Sequence, residues 1–331
     1  MNGRFLFAAI GAILIAVVAA LWFSGLFGSD VARDAVTQPE APPETVNPRL
    51  VPVVEAARAA AAQATSDANA ADAVSAATDK VAASAAKFAA DGKTAAEEAA
   101  KIAKKACKAP SATLACATAE DGTRYEGAQA CRTDGCGPDG FGVFTDERRG
   151  WESQGKWENW SLVLGCDSMK GVTTYCGQQV ASAWSGFGIS YNSEAAAISA
   201  EWLAGAGKNP IQLDYPTGSR MRGEMAEYKL DGLGVYERSD KRVLRGRWQA
   251  GKLISGIVAY PASGDVVSGT FLDGNAQSGS IAYRDGHLFV GEIEDGPALA
   301  EAKPKRGVLY APDGSIAAQG AWRDGLPVAT D

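Results

Sequence analysis

The stretch Leu244-Arg245-Gly246-Arg247-Trp248-Gln249-Ala250-Gly251-Lys252-Leu253-Ile254-Ser255-Gly256 decides the fold. Around Gly246, the apolar Leu244 and Trp248 alternate with the polar Arg245 and Arg247, as in a strand buried on one face. Ala250-Gly251 supplies a turn, and Gly256 then opens the apolar run Ile257-Val258-Ala259-Tyr260. The unit is a β-hairpin, and it recurs. Gly223, Gly246, Gly269, Gly291 and Gly320 stand 23, 23, 22 and 29 residues apart. Turn glycines follow the last four at Gly251, Gly274, Gly296 and Gly325, and return-strand glycines stand at Gly256, Gly279 and Gly307.

The same register runs backward through Ala200, Gly177 and Gly155 to Gly127, giving about nine units that degenerate toward the front. Trp157, Trp202, Trp248, Phe271 and Trp322 recur two residues after the first glycine (or, at Ala200, the residue in its place). A glycine between two large side chains leaves room for a neighbouring aromatic to lie across the backbone. A single hairpin cannot bury these aromatics, so the hairpins must stack.

Units of this length, with Tyr125-Glu126-Gly127, Gly140-Phe141-Gly142 and the Leu244–Gly325 stretch, resemble the MORN (membrane occupation and recognition nexus) repeat. The resemblance covers roughly residues 120–325, with departures at Gln179, Ala200 and Pro210. It implies a mainly β fold over 109–331, an elongated single-layer antiparallel sheet of stacked hairpins. It also implies scaffold or oligomerisation roles, with lipid binding proposed for some members.

Ahead of the repeats lie three different segments. Phe5–Gly28 is 24 residues without a charge, long enough to span a bilayer as a helix, so residues 1–28 are expected to be a transmembrane anchor. The free amino terminus and Arg4 orient the N-terminus toward the cytoplasm, which places the rest outside it. A cleaved signal peptide with Val18-Ala19-Ala20 at the cleavage site is the alternative, although its apolar core would be shorter. Residues 29–53 carry Pro39, Pro42, Pro43, Pro48 and Pro52 and read as a semi-extended linker.

Residues 54–108 read as an Ala-rich helical stalk, with 25 alanines among the 52 residues from Glu55 to Ala106 and a bend expected at Gly92. Val74, Val81, Phe88, Ala95 and Ile102 form one heptad line, and Ala71, Thr78, Ala85, Gly92 and Ala99 another. A thin coiled-coil seam, a solvated single helix and a helix lying against the following domain all fit that pattern. Balanced charge and a small apolar face speak against a membrane-surface helix.

The six cysteines, Cys107, Cys116, Cys131, Cys136, Cys166 and Cys176, are even in number and clustered, as expected of disulfides in an exported domain. Neighbouring hairpin strands favour the sequence-adjacent pairs Cys107–Cys116, Cys131–Cys136 and Cys166–Cys176. A four-thiolate zinc site from Cys131, Cys136, Cys166 and Cys176 is the alternative, with spacings unlike the usual C-x2-C pairs.

Chemistry is sparse. The single histidine, His287, follows a turn glycine and reads as a surface residue. Glu292 with Glu294, or Asp146 with Glu147, would be the carboxylates of a hydrolase, but Glu292 occupies an ordinary polar strand slot. Gly135-Cys136-Gly137-Pro138-Asp139-Gly140 lacks a phosphate-binding lysine, and no cofactor motif appears. Residues 1–110 carry 11 basic and 11 acidic groups, so the whole net charge of −7 lies beyond them, which disfavours nucleic acid and anionic lipid. The basic runs Lys241-Arg242-Val243-Leu244-Arg245-Gly246-Arg247 and Lys303-Pro304-Lys305-Arg306 read as solvated strand faces. The sequence therefore points to a non-enzymatic scaffold, single-pass in an inner membrane with its repeats in the periplasm. Its expected partner is an envelope protein or a second copy. The alternative is a glycan or lipid binder using exposed aromatics, and a carboxylate hydrolase ranks last.

Overall fold

The computed structural model describes residues 45–133, 135–295 and 302–328, which hold nineteen antiparallel strands and one helix. The predicted span at 5–28 and the linker up to residue 44 lie outside them. Among the described residues, no helix is long and apolar enough to cross a membrane. The chain divides into two compact units.

The first unit comprises Ala71–Asp240 with Gln249–Gly251. Its strands are β1 (Leu114–Thr118), β2 (Thr123–Arg132), β3 (Gly135–Asp146), β4 (Trp151–Glu158), β5 (Ser161–Met169) and β6 (Val172–Val180). They continue with β7 (Ala183–Tyr191), β8 (Ala197–Leu203), β9 (Ala206–Asp214), β10 (Arg220–Ala226) and β11 (Lys229–Glu237). Each pairs with the next, from β1 through β11. One transverse row is glycine on nearly every strand: Gly127 faces Gly142, which faces Gly155, and the row continues through Gly165, Gly177 and Gly188. At the departures, Ala200 faces Gly188 and Ile211 faces Gly223, but the register shifts between β8 and β9 at Ala200, where the row is interrupted. The row is small because adjacent backbones and aromatic rings crowd it. A Cβ at Gly155 would stand 2.2 Å from the Leu164 carbonyl oxygen.

Among the described residues, the second unit contains residues 45–70, Lys241–Trp248 and the described residues from Lys252 onward. Its strands are β12 (Val243–Gln249), β13 (Lys252–Tyr260), β14 (Asp265–Leu272), β15 (Asn275–Ala282), β16 (Leu288–Asp295), β17 (Ala302–Tyr310), β18 (Ile316–Arg323) and β19 (Leu326–Pro327). β13 to β19 pair in sequence order, and the glycine row recurs as Gly256, Gly269, Gly279, Gly291, Gly307 and Gly320.

The helix α1 (Val51–Lys108) starts earlier than the expected residue 54. Pro52 sits in its first turn, where no intrahelical N–H bond is needed. It runs without interruption through Gly92. α1 is not a free stalk, because its small-residue seam is buried on the chain's own strands. In the first unit the buried line is Ala71, Ser75, Thr78, Ala82, Ala85, Ala89, Gly92, Ala95, Ala99, Ala103 and Ala106. Ala99 and Ala103 pack on Val143, and Phe88 stacks on Phe187 at 6.2 Å. Arg222 binds Asp79 at 2.9 Å and also pairs with Glu237.

In the second unit Leu50, Val54 and Ala57 pack with Val290 and Val308, and Arg247 reaches Asp67 at 3.2 Å. The end of the linker belongs to this unit: the Asn47 N–H donates to Gln319 Oε1 at 2.8 Å, and Val46 packs on the same cluster. Of the three arrangements the helix pattern allowed, the one found is the helix lying against the following strands.

Candidate functional site

The repeat aromatics face away from α1, on the same side as the glycine row. There they are core. Trp157, Trp202, Trp248, Phe271 and Trp322 are all buried, Trp202 to 1% exposure. Trp157 Nε1 donates to the Gly142 carbonyl and Trp202 Nε1 to that of Gly188, both at 2.9 Å. Tyr175 lies edge-on to Trp202 and stacked on Trp184. The expectation that these tryptophans form an exposed stacking face is therefore corrected, since neighbouring rings and strands already occupy their surfaces.

The cysteines form three disulfides, Cys107–Cys116, Cys131–Cys136 and Cys166–Cys176. The four-thiolate zinc alternative is excluded by that pairing, because its sulfurs are divided between two covalent bonds. Cys107–Cys116 ties the end of α1 to β1, and Arg124 lies 3.6 Å and 3.7 Å from its two sulfurs.

The other candidates stay apart. His287 Nδ1 lies 3.0 Å from the Asp285 carboxylate on a turn, and the His287 N–H also binds that carboxylate. These bonds hold the Asp285 carboxyl below its ordinary value. Glu292 stands opposite Arg306 in the ladder register and Glu294 opposite Lys303. Asp146 is paired with Arg149 on a turn.

The site that does stand out is an open trough of about 520 Å³ over β1 to β4 in the first unit. Its walls are Tyr125, Phe144, Trp151, Trp157 and Trp160, opposed by Ala115, Ala117 and Ala119 at the β1 side. Alternation along each strand brings these groups to one face. Ala117 pairs with Tyr125, Tyr125 with Phe144, and Phe144 with Ser153. The trough exists because β1 presents alanines there. Trp160 is 62% exposed, on a turn where Asn159 and Trp160 both have positive φ. Its ring lies so close over Gly137 that a Cβ there would fall 1.9 Å from it. Arg124 is the one charged residue of the lining.

The floor is polar. Ser153 Oγ donates to Asp167 Oδ1 at 2.6 Å and accepts from Trp151 Nε1 at 2.9 Å. Gln179 and Trp184 donate to Asp167 Oδ2 at 3.0 Å and 2.7 Å. Burial pushes the Asp167 carboxyl up, and these three donors pull it back down. Burial likewise pushes the Tyr125 and Tyr175 phenols well above their ordinary value. Asp167 is 2% exposed, so its carboxylate is beyond the reach of a bound molecule. The arrangement offers aromatic faces and a rim of backbone, which suits binding.

Asp167 and Ser153 were missed in the sequence, although they left a signal. Two residues after the return-strand glycine, other hairpins carry Phe144, Tyr236, Val258, Ile281 and Leu309, and a carboxylate at that slot breaks the pattern.

No family model and no curated protein matches the chain. Among solved structures, the wild-type TCP10 domain of Danio rerio CPAP aligns over 63% of this chain and 100% of that one. The identity is 11% and the TM-score 0.21, too low to carry an argument.

Proposed function

We propose that this chain is a membrane-anchored, extracytoplasmic scaffold built on MORN-like hairpins, working without catalysis through protein contacts. The observation that carries the reading is the way both faces of the hairpins are filled. Small helix residues cover one, and aromatics fill the other. What is left for recognition is strand edges and the trough, which are contact surfaces. The disulfides favour an oxidising compartment, in agreement with a periplasmic repeat region behind an inner-membrane anchor at 1–28. The partner is an envelope protein or another copy. The glycan or lipid reading keeps one point of support, the exposed Trp160 beside the trough.

The test is in-cell crosslinking of the full-length tagged protein, then purification in detergent and mass spectrometry. A stoichiometric envelope protein or a discrete oligomer supports the scaffold. A monomer carrying only lipid or glycan overturns it.

A further inference from the structure

We propose that the Cys131–Cys136 disulfide is a thiol–disulfide exchange site, opened by a dithiol while the other two bonds stay closed, and that its state sets the seat of Trp160. Exchange requires a thiolate to reach a disulfide sulfur, so access decides which bond reacts. Cys131 and Cys136 are both exposed, near the end of the β2–β3 hairpin. The other pairs are shielded. Cys107 and Cys116 are half-buried, with Arg124 against both sulfurs. Cys166 is half-buried and Cys176 is 0% exposed.

The exposed bond is also the one the fold needs least. Its sequence separation is 5, against 9 and 10 for the others. The shorter the closed loop, the less freedom the bond removes from the unfolded chain. Backbone pairing holds the same residues together without it. Cys131 and Cys136 are ladder partners, with Ala130 opposite Gly137 on one side and Arg132 opposite Gly135 on the other. Once opened, the two thiols therefore stay side by side.

That adjacency selects the co-reactant. An attacking thiolate bonds to one cysteine sulfur, and the electron pair of the broken S–S bond leaves on the other, as a thiolate. With a monothiol, the expelled thiolate sits beside the mixed disulfide at high effective concentration, attacks back and restores the original bond. A dithiol escapes this return. Its second sulfur, deprotonated by solvent, attacks its own partner sulfur in the mixed disulfide and departs as an internal disulfide. Two electrons and two protons pass to Cys131 and Cys136, and one dithiol is oxidised.

The opening registers at the trough. Cys136, Gly137 and Pro138 are consecutive, and all three line it together with Trp160. The Trp160 ring lies against Gly137, and the Trp160 N–H donates to the Pro138 carbonyl at 3.1 Å. The residues that follow the bond are thus the ones that seat the exposed tryptophan. Without the cross-link the ladder persists, but the end of the hairpin is free to twist beneath the ring.

The test uses the full-length protein in detergent under native conditions. After dithiothreitol is added, samples are acid-quenched at intervals, alkylated, digested and read by mass spectrometry, while tryptophan fluorescence is followed in parallel. Cys131 and Cys136 should become alkylated at least tenfold faster than any other cysteine. Glutathione at equal thiol concentration should leave them bonded. Fluorescence should change on the same time course, and the change should be absent in Trp160→Phe. Cys131→Ser/Cys136→Ser should show the opened-state spectrum without reductant. Another pair opening first, or all three together, would overturn the site. Opening by glutathione at the same rate would overturn the selection for a dithiol. Opening with no fluorescence change, or with a change that survives in Trp160→Phe, would overturn the coupling to the trough.

Discussion

Gly92 of α1 lies against the backbone of Gly165 in β5, so closely that a Cβ at position 92 would stand 2.8 Å from the Gly165 carbonyl oxygen. The same atom would be 3.1 Å from the Gly177 nitrogen. In an isolated helix, Gly→Ala stabilises by about 1 kcal/mol. Here the sign should reverse, because the methyl would push α1 off the sheet, at a cost of about 1–3 kcal/mol. Urea unfolding of Gly92→Ala checks this. A gain in stability would mean that α1 does not rest on the strands at this point.

Trp202 and Trp160 should separate fold from surface. Trp202 is 1% exposed and hydrogen-bonded, and Trp202→Ala is expected to cost about 3–5 kcal/mol. Trp160 is 62% exposed, and Trp160→Ala should cost about 1 kcal/mol or less. Paired thermal melts decide it, and equal losses would contradict the burial assignment.

The buried Asp167 should tilt stability with pH. Its folded carboxyl holds the proton to higher pH than the unfolded chain does, because burial raises it. The stabilising contribution is therefore complete below the unfolded value of about 3.9 and is lost as pH rises through the folded value. Asp167→Asn removes that titration. The unfolding free energy of the unaltered protein, minus that of the variant, should decline from pH 4 toward neutrality. A flat or rising difference would show that the hydrogen bonds from Ser153, Trp184 and Gln179 outweigh burial.

Cys166 and Cys176 face each other on β5 and β6 and close a loop with a sequence separation of 10. Replacing both by alanine is expected to cost about 2–4 kcal/mol. Chemical unfolding measures it, and adding a reductant should bring the unaltered protein down by at least as much, since it opens all three bonds.

The hairpins were legible because glycine, aromatic and turn residues each have a fixed place in the repeat. Gly251, Gly274 and Gly325 are found in the turns where the spacing put them. The docking of α1 was harder to read. Bulky residues usually mark the buried face, and Val74, Val81 and Phe88 are only partly buried while the alanine and glycine line beside them is fully so. Where that line meets the strands at Gly165 and Gly177 it rests on bare backbone, so neither surface advertises the other. The trough was not visible either. It arises from what β1 lacks, and from Trp160 on a turn that the repeat register does not include.

In the first unit, α1 advances 28 residues between Asp79, bound to β10, and Cys107, bonded to β1, while the sheet advances nine strands. At about 1.5 Å per residue and about 4.7 Å per strand, both distances come to roughly 42 Å. The helix is thus a ruler for the array. A gene duplication that adds one hairpin widens the sheet by two strands, and the ruler keeps its alignment only if about six residues enter α1 as well, a stretch encoded far upstream. Repeat number in such a chain is held by two distant insertions having to coincide, which makes the length of the array resistant to drift.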